Sequence, residues 1–542
     1  MKIERLTNIK LKIGESESAL YEKARRVLKG EPRYFKILKK SLDARDKNNI
    51  FYVYSVEFSL KAPQCAEKPL ETLEEYKRPS AGRPVLIAGG GPAGLFCALR
   101  LLKRGITPVL IERGERVEER EKTLARFHET GELNTESNVS FGEGGAGTFS
   151  DGKLNTGTHV KENHEVLREF VRFGAPEEIL YLNKPHIGSD RLKTVVKNMR
   201  EYLIQNGVKM FFGAKLTDIY VKDGVLQAAE IEFSSERSSA TPAVPTRESG
   251  ETQGRKAFYK SRQKIEVSAL VLAIGHSARD TFERLRFCGV AMQKKDFAVG
   301  VRIEHLQRAI GFSQYGEKYP LLPPADYKCV YHGERAAFTF CMCPGGFVMA
   351  AASEEGGVVT NGMSNYARNG VNGNSALIVQ VTSADYPEDN PLAGVEFQRK
   401  IERAAYDLGG GKYVAPVQRA EDFLRGKESS RFGDVLPTYP RGTAFADLSA
   451  AFPAPVRDEL RRAITGMDSG MKGFACPDAL LTAAETRTSS PVRITRGENL
   501  QSVSCARLFP CGEGAGYAGG ITSSAADGIR VADAVFDMLR RC

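Results

Sequence analysis

Three stretches of this 542-residue chain carry glycines at a spacing that lets a backbone close on a phosphate: Gly89-Gly-Gly91-Pro-Ala-Gly94, Gly142-Glu-Gly144-Gly-Ala-Gly147 and Gly514-Ala-Gly516-Tyr-Ala-Gly519. The bare pattern is weak, and only its surroundings separate the three. The first follows an apolar strand over 85–88 and opens a helix over 95–104, whose Leu95, Ala98, Leu99 and Leu102 share one face before Gly105 ends it. Here Gly89 suits a tight turn, Gly91 the approach of a pyrophosphate, and Gly94 the close packing of helix on strand. The phosphates would sit on the helix N-terminus, where free N–H groups and the helix dipole favour negative charge.

A second strand over 108–111 ends in Glu112, roughly 20 positions after Gly89, as expected of the acid that accepts hydrogen bonds from an adenosine ribose. A carboxylate there repels a 2′-phosphate, which favours FAD or NAD over NADP. The segment at 142 has no strand before it and reads either as a loop without ligand or as one folded over a cofactor. The segment at 514 joins a strand over 508–511 to an amphipathic helix over 521–539. No further strand with an acid follows it before Cys542, so it is expected not to form a second complete dinucleotide unit.

Other residues could do chemistry near such a cofactor. His186 and Asp190 in PHIGSD, His276, and the arginines Arg487 and Arg493 are candidates, the arginines suiting an acidic or phosphate-bearing substrate; for each, a salt bridge or cap is the competing reading. Cys341 and Cys343 form a CxC pair that could be redox-active, but both read as buried packing residues. His305 and His332 are isolated and read as structural. The sequence has no HExxH, no zinc-ligand spacing and no nucleophile elbow, so no metal site and no hydrolase is expected.

These residues need scaffolding, and composition says what kind. At 42% hydrophobic and 27% charged, the chain reads as ordinary soluble protein, long enough for two or three domains. The start, MKIERLTNIKLKIG, has no apolar run of the kind a secretory signal needs, and ten cysteines without CxxC spacing suit a reducing compartment, so a cytoplasmic location without a membrane span is expected. The most apolar stretch, 338–352, is broken by Pro344-Gly345-Gly346 and reads as a buried hairpin. The net charge is +10, and the first 80 residues hold 18 Lys/Arg against 12 Asp/Glu, yet no basic motif interleaved with aromatics appears, so nucleic acid is not the expected partner.

Residues 1–60 read as a small α+β unit of ferredoxin-like βαβ type, with strands near 9–13 and 50–60 around a helix over 18–28. A proline-bearing linker covers 61–82. The expected architecture is α/β: a doubly wound, Rossmann-like FAD-binding domain made discontinuously from 83–295 and 480–542, with a mixed α+β domain inserted at 296–479 and a polar excursion at 233–264.

A fingerprint near the start of a domain, a glycine-rich strand-to-helix segment at its end, and Ala269-Leu-Val-Leu-Ala-Ile-Gly275-His between them together resemble the glutathione-reductase-type FAD fold. More closely, the chain is similar to a bacterial family of uncharacterised FAD-dependent dehydrogenases described as NAD(FAD)-utilising. SFGEGGAGTFSDGKL (140–154), KPHIGSDRL (184–192), FAVGVRIEH (297–305), FCMCPGGFV (340–348), ETRTSSPVRI (485–494) and FPCGEGAGYAGGITSSAADGIRVA (509–532) carry that resemblance. It implies FAD contacts at Gly89, Gly91, Pro92, Ala93, Gly94, Glu112 and Arg113, and in the next loop at Gly145, Ala146, Gly147, Thr148, Ser150, Asp151, Lys153 and Leu154. It implies further contacts at Leu216, Ala273, Gly275, Gly512, Glu513, Gly519, Gly520 and Ile521. The expected function is an FAD-dependent oxidoreductase of dehydrogenase type on an unidentified small molecule, with NADH or NADPH as an open external donor. An RNA-modifying flavoprotein and an FAD-stabilised binding protein without turnover are the alternatives.

Overall fold

Alternate residues of a few short strands sort the centre of the molecule into two layers. The computed structural model describes residues 3–61, 82–155, 157, 160–235, 259–387 and 389–541. In it, Leu508–Pro510, Ala269–Leu272, Val85–Ala88, Val109–Glu112 and Lys209–Phe212 lie side by side in that order as a parallel five-stranded sheet. Val85, Ile87, Leu110, Val271 and Phe509 point to one face and pack on helices Pro92–Lys103, Ser189–Gln205 and Ile521–Arg541. Leu86, Ala88, Ile111, Leu270 and Leu508 point to the other. This is the period of two that makes a strand buried on both sides read as a continuous apolar run.

The second face corrects the doubly wound expectation. What covers it is chiefly an antiparallel sheet of Ala214–Lys222, Val225–Ser235 and Tyr259–Glu266, contributing Leu216, Ile219, Ala229 and Ile231, with helix Arg279–Phe287 beside it. An antiparallel sheet can bury one face and leave the other in water, so it can form an outer layer where a helix was expected. The polar excursion expected at 233–264 is also narrower. Phe233 to Ser235 and Tyr259 to Lys264 are paired strand, and Glu232 takes Lys260 at 2.9 Å and Arg262 at 3.1 Å across the ladder. The rest of that excursion, 236–258, and the linker over 62–81 lie outside the described residues.

A second sheet has seven strands in the order Val330–His332, Ala336–Cys343, Asn372–Val381, Phe297–Leu306, Leu480–Glu485, Ala415–Arg419 and Thr443–Phe445, antiparallel but for the last pair. Val299, Val301, Ile303, Leu377 and Val379 face a large core shared with helices Ala393–Leu408 and Ala454–Met467. The division drawn at 479/480 cuts through this sheet, because Leu480–Glu485 is a central strand of it. The stretch 338–352 is no hairpin either: Ala336–Cys343 belongs to the large sheet, while Phe347–Ala350 turns away to pair with Thr360–Met363.

At the N-terminus, Glu4–Lys12 and Tyr34–Asp43 flank Phe51–Ser59, both antiparallel to it, and helix Ser18–Leu28 closes the core through Leu20 and Ala24. This is a split βαβ arrangement. Strand Tyr34–Asp43, with three lysines and an aspartate diluting its alternation, was not expected from the sequence. Its Lys40 ties the unit to the main body, donating its N–H to Tyr181 O at 2.8 Å and accepting from Asn183 N at 3.0 Å.

Candidate functional site

A cavity of ≈ 330 Å³ opens at the C-terminal ends of the parallel strands, where ligands of open α/β sheets are held. Helix Pro92–Lys103 starts at its edge, with Pro92 at the first turn and Gly91 at the cap. Gly89 has φ 113°, and a Cβ there would lie 2.1 Å from Ala273 O; on Gly94 it would lie 1.9 Å from Gly89 O. These two glycines are therefore required by the protein itself. Gly91 differs, since its Cβ would only graze Gly145 Cα at 3.8 Å. On Gly275, Gly519 or Gly520 a Cβ would meet no protein atom within 4 Å, although all three line the cavity. Such positions border space that a ligand takes up.

Glu112 is 5% exposed and its carboxylate staples three segments. Oε2 accepts from Gly90 N at 2.6 Å, and Oε1 from Gly114 N and Gly142 N, both at 2.9 Å. With two lone-pair directions per oxygen, Oε2 retains one acceptor site for a ribose hydroxyl. The segment at 142 is thus folded over the site, with Gly144 N donating to Gly90 O at 2.8 Å. Arg113 also lines the cavity, but its guanidinium is paired with Glu136 at 2.8 Å and Asp280 at 3.0 Å and lies 4.1 Å over the Phe141 ring.

The cavity brings together Gly89, Gly91, Pro92, Ala93, Glu112, Arg113, Leu216, Ala273 and Gly275 with Gly145, Ala146, Gly147, Ser150, Asp151 and Lys153 of the loop and Glu513, Gly519, Gly520 and Ile521 of the C-terminal segment. Four expected contacts lie outside it. Gly94 packs under the fingerprint turn; Thr148 is buried and donates its hydroxyl to Glu143 O; Leu154 is in the core; Gly512 gives its N–H to Asp527 at 2.8 Å. Each supports a lining neighbour through packing rather than reaching the cavity.

Of the polar candidates, His276 and Arg487 line the cavity, the ring Nε2 of His276 lying 2.8 Å from Arg487 O. His186 instead stacks on Tyr366 with Nε2 3.1 Å from its carbonyl, and Asp190 accepts from Tyr366 N at 2.8 Å. Arg493 lies over the Tyr517 ring, and Arg487 is held by Glu402 at 3.0 Å. The arginine pair expected to receive an anionic substrate is therefore not assembled.

The far wall comes from the seven-stranded sheet and its neighbours, which supply Phe340, Cys341, Asn361 and Glu485. Glu485 is buried, which pushes its carboxyl up to about 7 against the pull of Arg302 at 3.0 Å; Thr360 donates to its other oxygen at 3.1 Å. Arg302 is wholly buried on the strand face opposite Val301 and Ile303, and also donates to Asn374 at 2.8 Å. Beside them Asp151 takes Arg368 at 2.5 Å and Lys153 at 3.0 Å. The only hint of Glu485 in the sequence was its place at the head of ETRTSSPVRI. Arg302 had a similar one, its place in FAVGVRIEH, besides being a charge in the middle of an apolar strand. Among the described residues, no group of three or more His, Cys, Asp or Glu is placed to hold a metal ion, and no helix is long and apolar enough to cross a membrane.

The glycine cradle, the spare acceptor on Glu112 and the two helix N-termini fit FAD. The FAD binding domain family matches residues 83–132, the family of FAD-dependent protein, C-terminal domain-like, matches 296–488, and a domain of unknown function (DUF8436) matches 3–59. The protein is an FAD-binding flavoprotein. An uncharacterized protein of Clostridium beijerinckii is 42% identical over 554 residues, with 98% of each chain covered, and the chain belongs to that protein's family of FAD-dependent proteins. Solved structures with similarity include a flavoprotein/dehydrogenase from Cytophaga hutchinsonii (10% identity, 84% of this chain and 79% of that one, TM-score 0.36). A geranylgeranyl bacteriochlorophyll reductase-like protein from Thermoplasma acidophilum is at 10% identity, 85% and 80% coverage and TM-score 0.35.

Proposed function

We propose that the protein is a dehydrogenase-like oxidoreductase that exchanges an electron pair between FAD and a small organic molecule admitted between the two sheets. The observation that carries this reading is the double lining of one cavity, with fingerprint glycines and Glu112 on one side and Glu485, Asn361 and Cys341 on the other. In this reading the FAD domain is of the glutathione-reductase type, discontinuous over 83–295 and the residues after 488, and the region 296–488 caps the site.

When bound, FAD supplies two-electron transfer. The chain's own residues bind and orient it. Glu112 holds the adenosine ribose, the N-terminus of Pro92–Lys103 the pyrophosphate, and the N-terminus of Ile521–Arg541 the end of the cofactor that gains negative charge on reduction, with Gly519 and Gly520 allowing close approach. Glu485, poised near neutrality, holds or releases a proton at the far wall.

Anaerobic mixing of purified protein with NADH, then NADPH, while following flavin absorbance tests the reading. Bleaching by either establishes electron entry from a pyridine nucleotide. A flavin that dithionite reduces, but that neither nucleotide reduces and no quinone, oxygen or disulfide reoxidises, would point to a binding protein instead.

A further inference from the structure

A regular strand sends residues 341 and 343 to the same face while their side chains stand about 6.6 Å apart along it, at the limit of what a disulfide can bridge. The strand Ala336–Cys343 is not regular there. Phe340 faces Ala376 and Cys343 faces Asn374, so three steps on one strand oppose two on its partner, a β-bulge. Cys341 takes the bulge conformation with φ 44°, which a residue bearing a side chain seldom adopts. Packing alone does not call for it.

The bulge folds the Cys343 thiol back onto residue 341. It donates to Cys341 O at 3.3 Å, and Arg302 reaches both residues, lying 2.6 Å from the Cys341 carbonyl oxygen and 3.5 Å from Cys343 Sγ. The Lys153 ammonium donates to Met342 O between them and pairs with Asp151. Hydrogen bonding from Cys343, backed by the charges of Lys153 and Arg302, holds the Cys341 thiol well below its ordinary range, while burial pushes Cys343 up. One sulfur is thus suited to be a thiolate and the other a retained thiol, the division found in dithiols that exchange electrons.

Only Cys341 lines the cavity; Cys343 is fully buried behind it. The end of the cavity it occupies is the end where the C-terminal helix begins. Lys153 touches the bulge, Thr522 donates to the adjacent Leu154 O at 2.8 Å, and Gly147 of the same loop lies against Ile521.

We propose that Cys341 and Cys343 form a dithiol–disulfide couple that exchanges an electron pair with the bound FAD, Cys341 being the sulfur that faces it. On closure the Cys343 S–H bond breaks, one Sγ–Sγ bond forms between it and the Cys341 thiolate, and the electron pair and one proton pass to oxidised FAD, which becomes anionic reduced FAD; opening runs the reverse. The proposal rests on the oxidoreductase reading for its redox partner but is independent of the external donor.

Anaerobic titration of air-oxidised holoprotein with dithionite counts the electrons taken up per FAD. Four are expected, two for the flavin and two for the disulfide, falling to two in Cys341→Ser and in Cys343→Ser. Alkylation of the oxidised wild-type protein followed by mass mapping of tryptic peptide 336–368 should find that peptide unlabelled and lighter by two hydrogen atoms, and doubly labelled after reduction. Two electrons in the wild type, four retained in a folded serine variant, or two free thiols in the oxidised peptide would overturn the couple. The peptide measurement needs no variant, so it decides the matter even where a serine variant fails to fold. A flavin inert to both pyridine nucleotides yet titrating with four electrons would sink the donor and leave the couple standing.

Discussion

The wall that the parallel sheet presents to the cavity is made largely of backbone, whereas the wall from the antiparallel sheet is made of side chains. On the first, glycines keep Cβ atoms away and Glu112 spends three of its acceptor sites on backbone N–H groups, while Arg113 is neutralised by Glu136 and Asp280. On the second, Arg302, Glu485 and Cys343 are buried, half-buried Cys341 and, from the facing loop, Lys153 lie against them, and these groups shift one another's proton affinities. Binding a fixed cofactor needs shape and N–H donors, which backbone supplies without titrating. Chemistry at the cofactor needs groups that change protonation, and burial near charge creates them.

The largest effect should come from contrasting two glycines on the backbone wall. Gly89→Ala collides with Ala273 O and strains a positive φ, so soluble, melting-competent protein should be lost altogether. Gly91→Val points into the cavity, so the protein should fold with a near-normal melting curve and carry no FAD on denaturation and extraction. Full FAD content in Gly91→Val would place the pyrophosphate elsewhere.

Next comes the face of the antiparallel sheet that turns away from the site. His305 is buried against Phe474 O at 2.8 Å, and burial pulls its pKa down to about 4. The folded state stays neutral where the unfolded chain, near 6.5, takes up a proton, so stability present above pH 6.5 is lost as pH falls toward 4, by about 3 kcal/mol for this group. Melting temperatures across that range should fall less steeply in His305→Gln than in the wild type. Equal slopes would mean the histidine charges in place.

A smaller effect should mark the side-chain wall. Glu485 is neutral below about pH 7 and charged above it, and a nearby negative charge opposes flavin reduction. The reduction potential of the wild type should therefore drop, as pH rises through 7, by more than that of Glu485→Gln, on the order of 30 mV for ~1.4 kcal/mol of interaction. Parallel potential–pH curves would remove Glu485 from the flavin's surroundings. The least change is expected in the outer layer: Ser235 and Tyr259 face each other across the ladder, so replacing 236–258 by a two-residue turn should leave FAD content unchanged. Loss of flavin on that replacement would give the outer layer a role in the site.

The backbone wall was legible because its reasons are local. A glycine at 89, 91 or 94 answers to neighbours a few residues away or to the next strand, and the apolar runs at 85–88, 109–112 and 269–272 announce strands buried on both faces. That an antiparallel layer takes the place of the second helical layer of a doubly wound sheet was not foreseen, because nothing local says what covers a sheet's second face. His186, Asp190 and Arg493 looked chemical by residue type alone, and their partners turned out to be Tyr366 and Tyr517, far along the chain.

By itself, then, the amino-acid order determined where the dinucleotide turn, its acid and the closing helix lie, since each depends on spacing along a single element or on adjoining ones. Tertiary structure alone decided that Glu485 and Cys341 meet Lys153 at the same cavity, with Arg302 buried behind them. Their encounter depends on strand register, and one extra residue opposite Asn374–Ala376 changes which side chains share an environment, a shift that no periodicity in the sequence records.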